Sequence, residues 1–241
     1  MKKFLLAAAS LAALTVSASA ADMAPRPYTK APPMVAPVLY TWTGCYIGIN
    51  GGGGWGRDRW RDQATGIDIG TTSPSGGVIG GQVGCDYQFG GNFVAGIEGM
   101  FDWANLNGNG PNPNVATSNN NTRIDFISTV TGRLGLTFGD NRALLYVKGG
   151  VAWEHIKDRT FTIANVVSQT YAGQTDVGYT VGAGLEYLFT QNWSGKVEYQ
   201  HMGFRSSPTA LQVGGGTFPR NMTTDIDLVT VGLNYRFGWG R

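Results

Sequence analysis

Few residues in this chain could act on a substrate, and their spacing argues against the familiar reactions. There are two histidines, His155 and His201. His201 opens "HMGFRSS", with Ser206 and Ser207 close behind. A His–Ser pair can hydrolyse an ester when the histidine takes the hydroxyl proton and an acid orients the ring. No compelling acid partner for His201 is visible, so a histidine at an interface is the preferred reading. Glu98 and Asp102 are four residues apart on one face of a strand, hence about 13 Å apart at roughly 3.3 Å per residue. That is too far for paired glycosidic carboxylates. "GGGGWG" at 51–56 lacks the Gly-Lys-Ser/Thr of a phosphate loop, and no His/Cys cluster has metal-ligand spacing. No catalytic, cofactor or metal site is expected.

What remains is a set of charges embedded in an alternating pattern. In "VGYTVGAGLEYLF", residues 177–189, odd positions carry Val, Tyr, Ala, Leu and Phe, while even positions carry Gly, Thr, Glu186 and a single Leu. Such a period-two beat is that of a strand with one greasy face and one small, polar face.

Composition narrows the surroundings. Charged residues are only 14% of 241 and hydrophobic ones 42%. Lys2 and Lys3, the apolar run Phe4–Val16 and the small residues Ala18-Ser19-Ala20 form a signal peptide over 1–20, so the mature chain is exported. Eighteen Lys and Arg, less those two lysines, leave sixteen against sixteen Asp and Glu. A neutral mature chain without a basic stripe gives no electrostatic case for nucleic acid. Residues 21–42 hold five of the ten prolines and read as a Pro-rich periplasmic tether.

From 43 to 239 the alternation recurs in eight stretches, near 43–56, 76–89, 93–103, 123–138, 142–154, 176–189, 193–204 and 225–237. Three tiny connections, at 90–92, 139–141 and 190–192, alternate with four long ones near 57–75, 104–122, 155–175 and 205–224. The other five prolines fall in the long connections, as strands that need backbone donors on both sides require. The fold class is all-β: an eight-stranded antiparallel up-and-down transmembrane β-barrel.

Orientation follows from the tryptophans. Trp42, Trp55, Trp103, Trp153, Trp193 and Trp239 lie at strand ends and only Trp60 in a long loop, with aliphatics between the two aromatic bands. A lipid-facing surface is sorted this way by height, whereas a soluble core has no reason to be. The opposite face then turns Glu98, Asp102, Arg133, Lys148, Glu186, Lys196, Glu198 and Arg236 into a narrow lumen, where they are expected to form a ladder of ion pairs. Cys45 and Cys85 share parity on adjacent strands; free lipid-facing thiols are the default and a cross-strand disulfide the alternative. Arg57, Arg59 and Arg61 could grip lipopolysaccharide phosphates, but Asp58 and Asp62 weaken that reading in favour of a solvated loop.

The segments "APPMVAP", "WTGCYIGINGGGGWG", "FGGNFVAGIEGMFDW", "FGDNRALLYVKGGVAW", "GAGLEYLFTQNWSGKVEYQHMGF" and "VTVGLNYRFG", in this order and spacing, resemble the small alphaproteobacterial outer-membrane proteins of the surface-antigen type, themselves similar to the OmpA-type membrane domain. The resemblance implies insertion into the outer membrane, with roles in envelope integrity and surface contact; some members are described as porins. The alternation Tyr235, Phe237, Trp239 resembles the terminal signal read by the barrel-insertion machinery, although Gly240-Arg241 follow. No peptidoglycan-binding domain follows either. The expected function is a monomeric structural envelope protein presenting surface loops, in contact with outer-membrane lipid and lipopolysaccharide. A narrow porin-like channel is the alternative and a lipid A-modifying enzyme a further one.

Overall fold

The computed structural model describes residues 40–62, 68–111, 118–163, 166–213 and 216–238. The expected signal peptide, the tether up to residue 39 and Trp239 lie outside the described residues. In chain order the strands are β1 (Gly44–Asp62), β2 (Asp68–Thr72), β3 (Ser75–Phe89), β4 (Phe93–Pro111), β5 (Ser118–Phe138), β6 (Ala143–Ile163), β7 (Val166–Leu188), β8 (Trp193–Val213) and β9 (Gly216–Gly238). Neighbours pair antiparallel, and β9 returns to β1 in unbroken register from Gly44↔Gly238 to Asp62↔Arg220. β2 and β3 both pair with β1, beside Asp58–Arg61 and Gly44–Trp55 respectively, so they form one strand of the barrel interrupted at Ser73-Pro74. The Gly56 N–H donates to the Pro74 carbonyl at 2.7 Å across the break. The result is a closed eight-stranded antiparallel barrel. No helix among the described residues is long and apolar enough to cross a membrane; this chain crosses with strands.

The short connections are built from residues that tolerate left-handed backbone. Gly90 and Gly91 have φ of 57° and 85°, and Gly139, Asp140 and Asn141 have 60°, 57° and 62°. The third turn uses a side chain instead: Thr190 Oγ1 accepts from the N–H groups of Asn192 and Trp193 at 3.3 and 3.1 Å.

The long connections differ from expectation. Strands run through much of 57–75, 104–122, 155–175 and 205–224, reaching 23 residues in β7 and β9, where about 9–11 suffice to cross a bilayer. Trp60 lies in β1, Pro111 ends β4, and Pro208 and Pro219 lie in β8 and β9, Pro208 within a register shift between Ser206 and Thr209. Above the membrane a ladder needs only backbone pairing that continues from below. It carries no apolar alternation, which is why these segments read as loops.

The two faces are inverted relative to a water-soluble barrel. Ile49, Ile79 and Ile97 on the outside are 67%, 67% and 66% exposed, whereas Glu98 and Glu186 inside are 1% and 0% exposed. Rings crowd the outside at both rims: Phe89, Phe93 and Trp193 near the short turns, and Trp55, Phe101 and Trp103 toward the other end. The lumen is filled in layers. Trp42, Val94, Leu144, Tyr146 and Leu188 form a floor near the short turns, and Leu106, Ile124, Ile127, Met202, Phe204 and Leu228 belong to an apolar plug toward the long-strand end. The last residues assigned to the tether are therefore packed, with Trp42 fully buried.

Cys45 and Cys85 stand directly opposite one another on β1 and β3 and are joined by a disulfide. This corrects the default reading of free thiols, because parity alone does not fix that register. Boiled, unreduced protein should migrate faster on a denaturing gel than reduced protein, and Cys45→Ser should abolish the difference. A constraint on a loop of this separation is worth about 2–4 kcal/mol, so unfolding of Cys45→Ser in lipid should fall by that order.

Candidate functional site

Between the floor and the plug lies a compact array of charges. Arg133 on β5 donates from Nε to Asp86 Oδ1 at 2.7 Å and from Nη1 to Glu186 Oε2 at 3.1 Å, and its Nη2 pairs with Asp86 Oδ2. Its guanidinium lies between two rings, 4.9 Å from the centroids of both Tyr46 and Tyr146. Arg236 on β9 pairs with the same two acids, through Nη2 to Asp86 Oδ2 and Nη1 to Glu186 Oε1 at 3.1 Å. It also donates to the Trp42 carbonyl at 2.9 Å, with the Trp42 ring 4.7 Å beneath it.

The lysines form a second half. Lys148 Nζ lies 2.9 Å from Glu98 Oε1 and 2.6 Å from Glu198 Oε1, and Lys196 Nζ lies 3.0 Å from Glu98 Oε2 and 3.4 Å from Glu198 Oε2. Arg133 Nη1, 3.9 Å from Glu98 Oε2, links the halves. Four cations thus meet four carboxylates, and the array is neutral. Hydroxyls and amides also donate to these carboxylates. The Tyr46 and Tyr146 hydroxyls donate to Glu98 and Glu198 at 2.8 and 2.6 Å, and Ser194 and Asn234 donate to Glu186 at 2.6 and 2.9 Å. Each tyrosine leans across a glycine on the neighbouring strand. A Cβ at Gly84 or Gly184 would overlap the hydroxyl of Tyr46 or Tyr146.

Of the eight lumenal residues named from sequence, seven belong to this array. Asp102 does not: it is buried beside Gly80 and makes no ion pair among the described residues. Asp86, which two arginines share, was missed although its parity with Gln82 marks it as lumenal. Tyr235 and Phe237 of the proposed insertion signal lie on the outer face, Tyr235 half-buried against Trp193. Glu98 is held by Lys148 and Lys196, and no group of three or more His, Cys, Asp or Glu that could hold a metal is found among the described residues.

His201 gains the acid partner that the sequence did not reveal. Its Nδ1 lies 2.8 Å from Asp227 Oδ1, which also accepts from the Tyr199 hydroxyl at 2.6 Å. The register sets His201 directly opposite Asp227. Ser206, however, is in strand β8 and not in a loop, five residues or about 16 Å of strand from His201. His155 stacks on Phe126 at 4.8 Å and pairs with Thr175 Oγ1 at 3.2 Å.

A closed barrel with an aliphatic and aromatic outer face and an ionic array within defines an outer-membrane protein. The chain matches the family model described as outer membrane protein beta-barrel domain over residues 6–237, and it belongs to that family. It is 31% identical to the 31 kDa outer-membrane immunogenic protein of Brucella melitensis, over 98% of this chain and all of that one. It is 28% identical to the 25 kDa outer-membrane immunogenic protein of Brucella canis, over 98% and 99%. Among solved structures, the outer membrane protein OprG from Pseudomonas aeruginosa shares the fold, with a TM-score of 0.52 at 14% identity, covering 84% of this chain and 100% of that one.

Taking one member from a buried ionic array leaves its partners uncompensated, which costs about 3–5 kcal/mol. Arg133→Ala should lower stability by that order in urea unfolding from lipid vesicles. The Arg133→Ala/Asp86→Asn double variant should recover part of the loss, whereas Arg123→Ala, on an exposed pair with Asp125, should be near neutral.

Proposed function

We propose that this protein is a structural component of the outer membrane that presents its long strand ladders and their tips outside the cell, without catalysis and without an open passage. The observation that supports this reading is what occupies the lumen among the described residues: an apolar cluster toward the long-strand end, a neutral ionic array in the middle and Trp42 below. Eight strands enclose a space that side chains can fill, and here they fill it at three levels. That relatives are named outer-membrane immunogenic proteins supports the surface-display half of the proposal. Action as a monomer fits a barrel whose own closure leaves no strand edge within the membrane. The distance of Ser206 from the His201–Asp227 pair supports the absence of hydrolysis.

Protein reconstituted into planar bilayers should give no steady conductance. Steady openings altered by Glu186→Gln or Lys148→Ala would overturn the reading in favour of a narrow channel. His201→Ala should leave lipid A acylation unchanged in cells carrying the protein; a change in acylation would reinstate an enzyme.

A further inference from the structure

The outer face of β8–β9–β1 carries a cluster of charged residues toward the long-strand end. The register arranges them in three rows. The lowest is His201, Asp227 and Trp55; the next is Gly203, Asp225 and Arg57; the highest is Arg205, Thr223 and Arg59. Arg57 and Arg59 are therefore about 6.6 Å apart along β1, and Arg59 and Arg205 flank Thr223 about 10 Å apart across two strand spacings.

Read as a loop, this stretch would set Asp58 between Arg57 and Arg59 and cancel their charge. As a strand it sends Asp58 inward, where it is fully buried, and leaves both arginines exposed on the outside. Arg57, Arg59 and Arg205 make no ion pair among the described residues, in contrast to the paired cations of the lumen. Asp227, the acid of the lowest row, is engaged by His201 and Tyr199 and also attracts Arg57, and Asp225 is the other carboxylate of these three rows. Beside these arginines is a recess of about 360 Å³ lined by Tyr179, Gly203, Arg205, Thr223 and Asp225. It lies where the β7–β8 ladder ends at Gly178↔Phe204, beside the Tyr179 ring, which covers Gly203 so closely that a Cβ there would meet it at 2.6 Å.

We propose that this face binds the phosphate-bearing headgroup of a lipopolysaccharide molecule in the outer leaflet, the three guanidiniums taking the phosphate oxygens and the Tyr179 recess taking part of the sugar. Guanidinium forks match phosphate geometry and desolvate readily. Trp55, one row below, sets the face at the boundary between hydrocarbon and headgroups, where indole settles. The surrounding leaflet offers such phosphates from the side, so the lipid source is favoured over free phosphate. The inference does not depend on whether the lumen conducts.

Full-length protein folded in detergent, with EDTA present, should be titrated with deep-rough lipopolysaccharide and bound lipid counted by native mass spectrometry. Folding of each variant is checked by heat-dependent gel migration. The Arg57→Gln/Arg59→Gln/Arg205→Gln triple variant should bind about tenfold more weakly, since each exposed charge contact contributes modestly. Dephosphorylated lipopolysaccharide should bind wild type no better than the triple variant binds the intact lipid. Arg123→Gln, on the far side of the barrel, should change nothing, and Asp225→Asn should tighten binding. Equal affinity in the triple variant, an equal loss in Arg123→Gln, no gain in Asp225→Asn or indifference to dephosphorylation would each overturn the proposal. Displacement of the lipid by millimolar inorganic phosphate would overturn the lipid assignment in favour of a free-phosphate site.

Discussion

Within hydrocarbon an unpaired backbone N–H or C=O costs several kcal/mol, and the pairing of β1 with β9 from Gly44 to Asp62 closes the sheet at membrane depth, whereas β7 and β8 part beyond Gly178↔Phe204 toward the long-strand end. Everything else is conditioned by that closure. Once the sheet is shut, alternate side chains are forced into a lumen of fixed width, and the choice of residues there is a packing problem as much as an electrostatic one. The glycines at 84 and 184 illustrate it: two tyrosines reach their glutamates only because the neighbouring strand yields the space.

The lumen solves this problem differently at different heights. At membrane depth four cations and four carboxylates neutralise one another, and hydroxyls and amides accept or donate what is left over. Toward the long-strand end the same inward face becomes richer in apolar residues, with Ile124, Ile127, Leu228 and Phe204 in one cluster, and it also buries Asp58, Asp102 and Glu154. Burying a paired ion array gains little net energy over apolar packing of equal volume. The array lies at the depth where the outer face is aliphatic, and the apolar plug lies toward the end where the strands leave the membrane.

The barrel, its orientation and seven of the eight array members were legible because period-two patterning survives wherever lipid faces one side. Three features were not. The ladders beyond the membrane lack that pattern, so Trp60 and Pro208 read as loop residues. On β5, Ile124 pairs with Ile156 and Phe126 with His155, leaving Asp125 as an extra residue that shifts the inward parity and brings both Ile124 and Ile127 inside. The plug was hidden behind that bulge. Finally, pairings across strands depend on register, which parity does not supply. His201 with Asp227, and Cys45 with Cys85, needed the ladder itself.

Register also suggests why charges occupy the middle of the lumen at all. A slip of one residue exchanges the two faces of a strand. With aliphatic residues on both faces at membrane depth, a slipped strand would lose little, because lipid and lumen would accept either side. With Glu186, Lys196 and Glu198 inward and Leu185, Val197 and Tyr199 outward, the same slip drives unpaired charges into acyl chains and leaves their partners stranded inside. The ionic array therefore acts on specificity more than on net stability: it makes every alternative pairing of these strands costly and leaves one closed arrangement free of that cost.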